Sequence, residues 1–218
     1  MKNVVEIHRL AAPFPKPQAL YVDGPTLWVS SRTTRKLYTV DRATMQVTWE
    51  TSAPGAVTPW GVTKMAGDIY AVLGTDADGV DDRTIGRCIP GRGFDPAFSW
   101  NCPDRLGSHL SFDGQSLVLS QWYGQKLCAF DAAGQVRRTW PAPHPVPGHC
   151  FAQGAFWLLT VEDEESDDYW ITRLDPKTGR SEDVARVGFS ARALAFDGTH
   201  FWTNHREANQ IVCFALPS

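Results

Sequence analysis

The segment "LAFDGTHFWTNHREANQIVCFAL" at residues 194–216 reads as a second version of "LYVDGPTLWVSSRTTRKLYTV" at residues 20–40. Each has an apolar run, Asp-Gly, a second run carrying a tryptophan, a polar turn and a third run. Asp-Gly between alternating apolar runs is a strong hairpin signal, because glycine takes φ > 0 without steric penalty. The same grammar recurs between the two copies. Turns of the x-Gly type stand at Asp23-Gly24, Ala66-Gly67, Asp113-Gly114, Gln153-Gly154 and Asp197-Gly198, with spacings of 43, 47, 40 and 44 residues between glycines. After each turn comes a second strand, for example "LWVS" (27–30) or "FWLL" (156–159), and a third, for example "LYTVD" (37–41) or "ITRLD" (171–175). Turns such as "DRATMQ" or "DAAGQ" then lead to a fourth, as in "QVTWET" (46–51) and "QVRRTW" (135–140). Helical periodicity is almost absent.

Four strands in each period of roughly 40–45 residues make the blade of a β-propeller. Five turns therefore predict an all-β, five-bladed β-propeller occupying residues 1–218 as a single domain. The fifth repeat stops after its third strand, which would leave a sheet edge with free N–H and C=O groups, a liability that proteins close off. The one unassigned strand, "NVVEIHRL" at residues 3–10, is expected to be the fourth strand of blade five. A β-sandwich of short strands is the alternative, but it does not require a full-length repeat. Trp28, Trp157 and Trp202 fall at one second-strand position, and Trp49 and Trp140 are expected to share a fourth-strand position. Large rings there fill the wedge between blades.

With a formal net charge of −3 and a pI near 6.0, the chain lacks the basic footprint of a nucleic-acid or anionic-membrane binder. No apolar run approaches the roughly 18 residues of a membrane span. The start, "MKNVVEIHRLAAPFPKPQ", has no apolar h-region, so a cytoplasmic location is expected. Five cysteines without a C-x-x-C pair, three of them inside predicted strands, read as buried reduced thiols. A closed ring has no free edge demanding a partner, and a monomer is expected.

The pattern LxxDGxxLWVSxxxxxxLYxVDxxT, read at residues 20–44, resembles the propeller group that includes streptogramin lyase and plant-type glutaminyl cyclase. It is also similar to YVTN and NHL repeat proteins. The likeness covers nearly the whole chain and is specific for fold. In blade number it stands nearest the five-bladed glutaminyl cyclases; streptogramin lyase is a seven-bladed, metal-dependent enzyme. The resemblance implies a propeller fold and is unspecific for activity.

Topology narrows the search for a site. The x-Gly turns and the third-to-fourth turns lie on one face and are minimal. The opposite, top face gathers the second-to-third loops and the blade connections. The irregular segments at residues 74–84, 90–107 and 162–170 are all expected there. Loops that vary on a repeated scaffold carry function. Alignment of the first strands puts Gln18, Ser108, Gly148 and Arg192 at the channel mouth, with Trp60 from blade two if one extra residue is allowed in "KMAG". Ala19, Gly61, His109, His149 and Ala193 are one step deeper. Second-strand ends add Arg32, Gln121, Trp122, Glu162, His205 and Arg206.

These residues define the expected chemistry, a small-molecule enzyme of lyase, cyclase or hydrolase type. His109, His149, His205 and Arg192 are the candidate catalytic residues. Gln18, Arg32, Trp60, Gln121, Trp122 and Arg206 are the candidate substrate contacts. Paired imidazoles suit a divalent metal ion such as zinc or magnesium, with His109 and His149 as ligands and Glu162 or His205 as the third. Without metal, one histidine would act as general base. Arg192 and Arg206 would grip an anionic group. "DADGVDD" at residues 76–82 resembles a calcium loop but lacks the distal glutamate. The other reading is a non-catalytic propeller that binds a protein, peptide or glycan through its top loops, with Trp122, Tyr123 and Trp170 as anchors.

Overall fold

Five antiparallel four-stranded sheets follow one another along the chain in a computed structural model that describes residues 1–77, 79–163 and 165–217. After β1 (Val5–Ala11), blade one comprises β2 (Pro17–Asp23), β3 (Thr26–Ser31), β4 (Lys36–Asp41) and β5 (Val47–Ser52). Blade two is β6 (Thr58–Met65), β7 (Asp68–Gly74), β8 (Thr84–Ile89) and β9 (Gly93–Asn101). Blade three is β10 (His109–Phe112), β11 (Leu117–Gln121), β12 (Lys126–Phe130) and β13 (Val136–Pro141). Blade four is β14 (Gly148–Ala152), β15 (Ala155–Val161), β16 (Tyr169–Leu174) and β17 (Ser181–Val187). The last sheet joins β18 (Ala195–Phe196), β19 (Phe201–His205) and β20 (Gln210–Ala215) to β1.

The N-terminal strand thus lies at the outer edge of blade five. Val5 sits opposite Ala215 and Ala11 opposite Gln210, and β1 runs antiparallel to β20. Asn3 adds a bridge to Arg186 of blade four. The free edge that the short fifth repeat would leave on β20 is therefore covered by backbone pairing from the other chain end.

Hairpin geometry follows the turn chemistry. At Ala66-Gly67 and Gln153-Gly154 both turn residues have positive φ, the two-residue form whose twist matches that of the flanking strands. The aspartates act as local caps: Asp113 Oδ1 accepts from the Gln115 and Ser116 N–H groups at 2.8 and 2.7 Å. Asp131 Oδ1 does the same for Ala133 and Gln135 in a third-to-fourth turn, both at 2.9 Å. Such side-chain turns explain why Asp recurs at these repeat positions.

Burial is organised by wedge, with an apolar cluster between each pair of neighbouring blades. Leu20, Leu27 and Val29 of blade one pack with Trp202, Ile211 and Cys213 of blade five, which seals the ring. Trp157 packs between blades four and five and Trp28 between blades one and two, each at the repeated second-strand position. Innermost strands touch in the order β2, β6, β10, β14, β18 and back to β2. Five blades bring these strands close to the axis, so small residues are needed. A Cβ on Gly61 would lie 2.4 Å from the His109 Cα, and one on Gly148 would lie 2.6 Å from the Ala193 Cα.

Two expectations are corrected. Residues 90–107 are not one long top connection: they hold a turn on the opposite face, all of β9, and the short 3₁₀ turn Pro103–Arg105. Pro96 falls within the register shift between β8 and β9, on the outer strand of the blade, where a residue without an N–H is tolerated. Trp49 and Trp140 do not share a position. Trp49 faces Thr39 and Trp140 faces Leu127, whose blade-one counterpart Leu37 faces Thr51. The aligning turn residues, Gln46 and Gln135, precede these tryptophans by different intervals. All five cysteines are free and buried. Burial pushes the Cys88 and Cys102 thiols up to about 12 and Cys213 up to about 11. Among the described residues no helix is long and apolar enough to cross a membrane.

Candidate functional site

A cavity of about 720 Å³ opens on the top face. Gln18, Trp60, Ser108 and Arg192 line it from the starts of the innermost strands or just before them. Arg32, Trp122 and Arg206 line it from the second-to-third turns of blades one, three and five. Each is the first residue of a four-residue turn that ends at positive φ: Arg35 at 56°, Gln125 at 42° and Asn209 at 55°. Repeated local geometry therefore aims three different side chains at one place. The loop between β7 and β8 adds Thr75, Asp76, Asp81 and Arg83.

Other sequence-picked residues are placed elsewhere. Gln121 and His205 do not line the cavity, although Trp122 and Arg206, one residue later, do. Successive side chains of an extended chain point to opposite sides, so only one of each adjacent pair faces inward. Gln121 instead donates to the carbonyls of Pro103 (2.7 Å) and Leu106 (3.2 Å), holding the 3₁₀ turn. His205 stacks on Phe189 at 5.2 Å and meets Arg9 of β1. Burial and then the Arg9 charge hold its imidazole below the ordinary histidine value. Glu162 is exposed and outside the lining.

Guanidinium groups dominate the electrostatics. Arg32 grips Asp76 through Nε and Nη2 at 2.6 and 2.7 Å. Arg83 lies 4.3 Å from the Trp60 ring centroid and 3.5 Å from the Asp82 carboxylate. Arg206, 9% exposed, donates to Gln18 Oε1 at 2.9 Å and to Glu207 at 3.0 Å. Burial lowers its affinity for the proton, and the neighbouring Arg192 and Arg32 charges add to this. Glu207, which also binds Lys16, is held down at about 2, first by that lysine. Arg192 donates Nη1 to the Tyr169 hydroxyl at 2.8 Å and lies 5.5 Å from the Trp122 ring centroid. Among the described residues no carboxylate stands within 4.0 Å of it, and its Nε is buried without a partner.

His109 and His149 do come together, with ring centroids 5.7 Å apart at 76°. They lie beneath the cavity rather than at its mouth: exposures are 1% and 0%, and neither lines it. No ring nitrogen of either has a partner at hydrogen-bonding geometry. Backbone groups of Leu110, His149 and Leu20 near His109 favour its charged form, but burial outweighs them and drops its pKa to about 4. Burial and then the His109 charge push His149 well below the ordinary value. Both imidazoles are neutral at pH 7.

The metal reading does not fit the donor set. Among the described residues no three His, Cys, Asp or Glu side chains gather within reach of one ion, so neither Glu162 nor His205 completes a site with the two imidazoles. Of the calcium-like aspartates, Asp76 is committed to Arg32, and Asp78 lies outside the described residues. Sequence reading also missed participants. Arg83 and Asp81 were reachable only as members of an irregular top loop. Tyr169 begins β16, 23 positions from the arginine it binds, and no local signal marks it.

No family model matches the chain, and no curated protein matches it in sequence. Solved structures do match. Glutaminyl cyclase from Myxococcus xanthus superposes with a TM-score of 0.74 at 13% identity, covering 99% of this chain and 98% of that one. The chain is a five-bladed β-propeller. Aldose sugar dehydrogenase from Streptomyces coelicolor, in its PQQ-bound form, matches this propeller at a TM-score of 0.63 and 16% identity, over 99% and 82% of the two chains. A catalytically inactive virginiamycin B lyase from Staphylococcus aureus, with quinupristin, matches at 0.58 and 16%, over 95% and 83%. At such identities the likeness carries the fold and not the chemistry.

Proposed function

We propose that this propeller is a small-molecule enzyme of lyase, cyclase or hydrolase type, working in the top-face cavity. The observation that carries the reading is the convergence of Arg192 and Arg206 on a concave space built from several blades, with Arg192 lacking any carboxylate among the described residues. A volume near 720 Å³ is within the range of small-molecule sites. Arg192 and Arg206 hold the anionic part of the substrate, and Gln18 orients Arg206 through its side-chain oxygen. Trp122 backs Arg192, while Trp60 backs Arg32 and Arg83 and is itself fixed by its indole N–H on the Gly74 carbonyl at 3.0 Å. Asp76 is held by Arg32, which leaves Asp81 as the lining carboxylate able to accept a proton. His109 and His149 support the floor from below. Solved structures of the same fold include a cyclase, a lyase and a dehydrogenase, which is in keeping with catalysis at such a site.

The test is untargeted mass spectrometry of a metabolite mixture incubated with the protein. The expected result is time-dependent loss of an anionic compound, reduced about 100-fold by Arg206→Leu because a lost positioning contact misplaces the reacting groups. Asp81→Asn should remove turnover while retaining binding. Unchanged metabolite profiles, together with capture of a peptide or glycan through Tyr123 and Trp170, would favour the non-catalytic binding reading instead.

A further inference from the structure

We infer that the ligand of the top-face cavity is a monocarboxylate with an apolar, preferably aromatic, body, gripped by Arg192. This rests on the reading of the cavity as the substrate site and narrows its ligand class. Four guanidiniums line the cavity, and three have a carboxylate within contact distance: Arg32 has Asp76, Arg83 has Asp82 and Arg206 has Glu207. Among the described residues Arg192 has no carboxylate within 4.0 Å, and it donates to the neutral Tyr169 hydroxyl at 2.8 Å. Asp81 acts on Arg83, on the far loop. Among the described residues the Arg192 charge is left uncompensated, and it adds to the unfavourable field that Arg206 already feels.

A partly buried cation without a counter-ion is costly, so a ligand that supplies one negative charge is favoured. A doubly charged phosphate would overshoot this local balance and would be opposed by Glu207, beside Arg206. The cavity also lacks the parts that cradle phosphates elsewhere: its described elements include no α-helix whose N-terminus could point at an anion. A planar guanidinium with Nη1 anchored on Tyr169 is preoriented for the planar carboxylate group. The Trp122 ring lies beside it, and Leu106 and Pro147 add further apolar lining to the cavity, suited to a ring or short hydrocarbon.

The inference is tested by isothermal titration calorimetry with benzoate, benzamide and inorganic phosphate, on the wild-type chain and on Arg192→Met. Benzoate should bind at least 10-fold more tightly than benzamide, its neutral isostere, and phosphate should bind more weakly than benzoate. In Arg192→Met the preference for acid over amide should vanish. Its thermal midpoint should stay close to that of wild type, because no ion pair is broken and the Tyr169 hydroxyl keeps the Ser190 hydroxyl at 3.4 Å. Equal binding of acid and amide, stronger binding of phosphate, no detectable benzoate binding, or undiminished benzoate binding by the folded variant would each overturn it. The two readings fail separately. Benzoate binding without any turnover of metabolites sinks the enzyme and leaves the carboxylate grip. Turnover of neutral compounds alone sinks the grip and leaves the enzyme.

Discussion

Gly61→Ala and Gly148→Ala should each lower the thermal midpoint by roughly 6–12 °C, from a loss of about 3 kcal/mol in a chain of this size. The new methyl groups have nowhere to go. At Gly61 the nearest atoms are the His109 Cα at 2.4 Å and the Ser108 carbonyl oxygen at 2.7 Å. At Gly148 they are the Ala193 C and Cα at 2.6 Å and the Leu194 nitrogen at 2.7 Å. All are backbone, so no side-chain rotation can make space, and relief requires two innermost strands to part. Gly188→Ala is the matched control. Its Cβ would meet nothing within 4 Å, and its φ is not in the left-handed region, so stability should be unchanged or slightly higher. Differential scanning calorimetry of the three variants checks this, and a small effect at Gly61 or Gly148 would contradict the tight axial packing.

A second large effect concerns acid. In the unfolded chain both axial histidines titrate near 6.5, whereas in the folded chain burial holds His109 near 4 and depresses His149 in the same direction. Below pH 6.5 the unfolded state therefore binds protons that the native state refuses. The stability contributed by these groups is fully present above pH 6.5 and is lost as pH falls through the folded value near 4. For His109 alone the loss is about 3 kcal/mol, at about 1.4 kcal/mol per pH unit. Urea denaturation between pH 7.5 and 4.5 should show that decline. His149→Met should reduce the slope, whatever its effect on stability at neutral pH, because one of the two refusing groups is gone. An equal slope in the variant would contradict burial of neutral imidazoles.

Much of the architecture was readable because the repeat imposes local chemistry that survives translation into structure. Asp-Gly and Ala-Gly turns fix hairpins from within a few residues, and the truncated last repeat left only residues 3–10 to pair with β20. The mouth residues Gln18, Ser108 and Arg192 could be aligned because each stands six residues before its turn glycine, whereas Trp60 joins them only with one extra residue, at the register shift between Pro59 and Gly61. What failed depended on side-chain direction or non-local partners. Gln121 and His205 sit beside true cavity residues but face away, a distinction set by alternation through a turn. His109 and His149 were matched correctly to each other, yet the depth of one residue separates a ligand-facing group from a buried plug. Arg83 and Tyr169 gained their roles from contacts across the loop and across blades, which no spacing in the sequence encodes.

Anomalous diffraction from crystals grown with 4-bromobenzoate tests the placement of the site most directly. The expected result is a bromine peak inside the top-face cavity, with the carboxylate within hydrogen-bonding distance of the Arg192 guanidinium. A peak on the opposite face or in a wedge between blades, with the Arg192 cavity left free of bromobenzoate, would contradict the assignment.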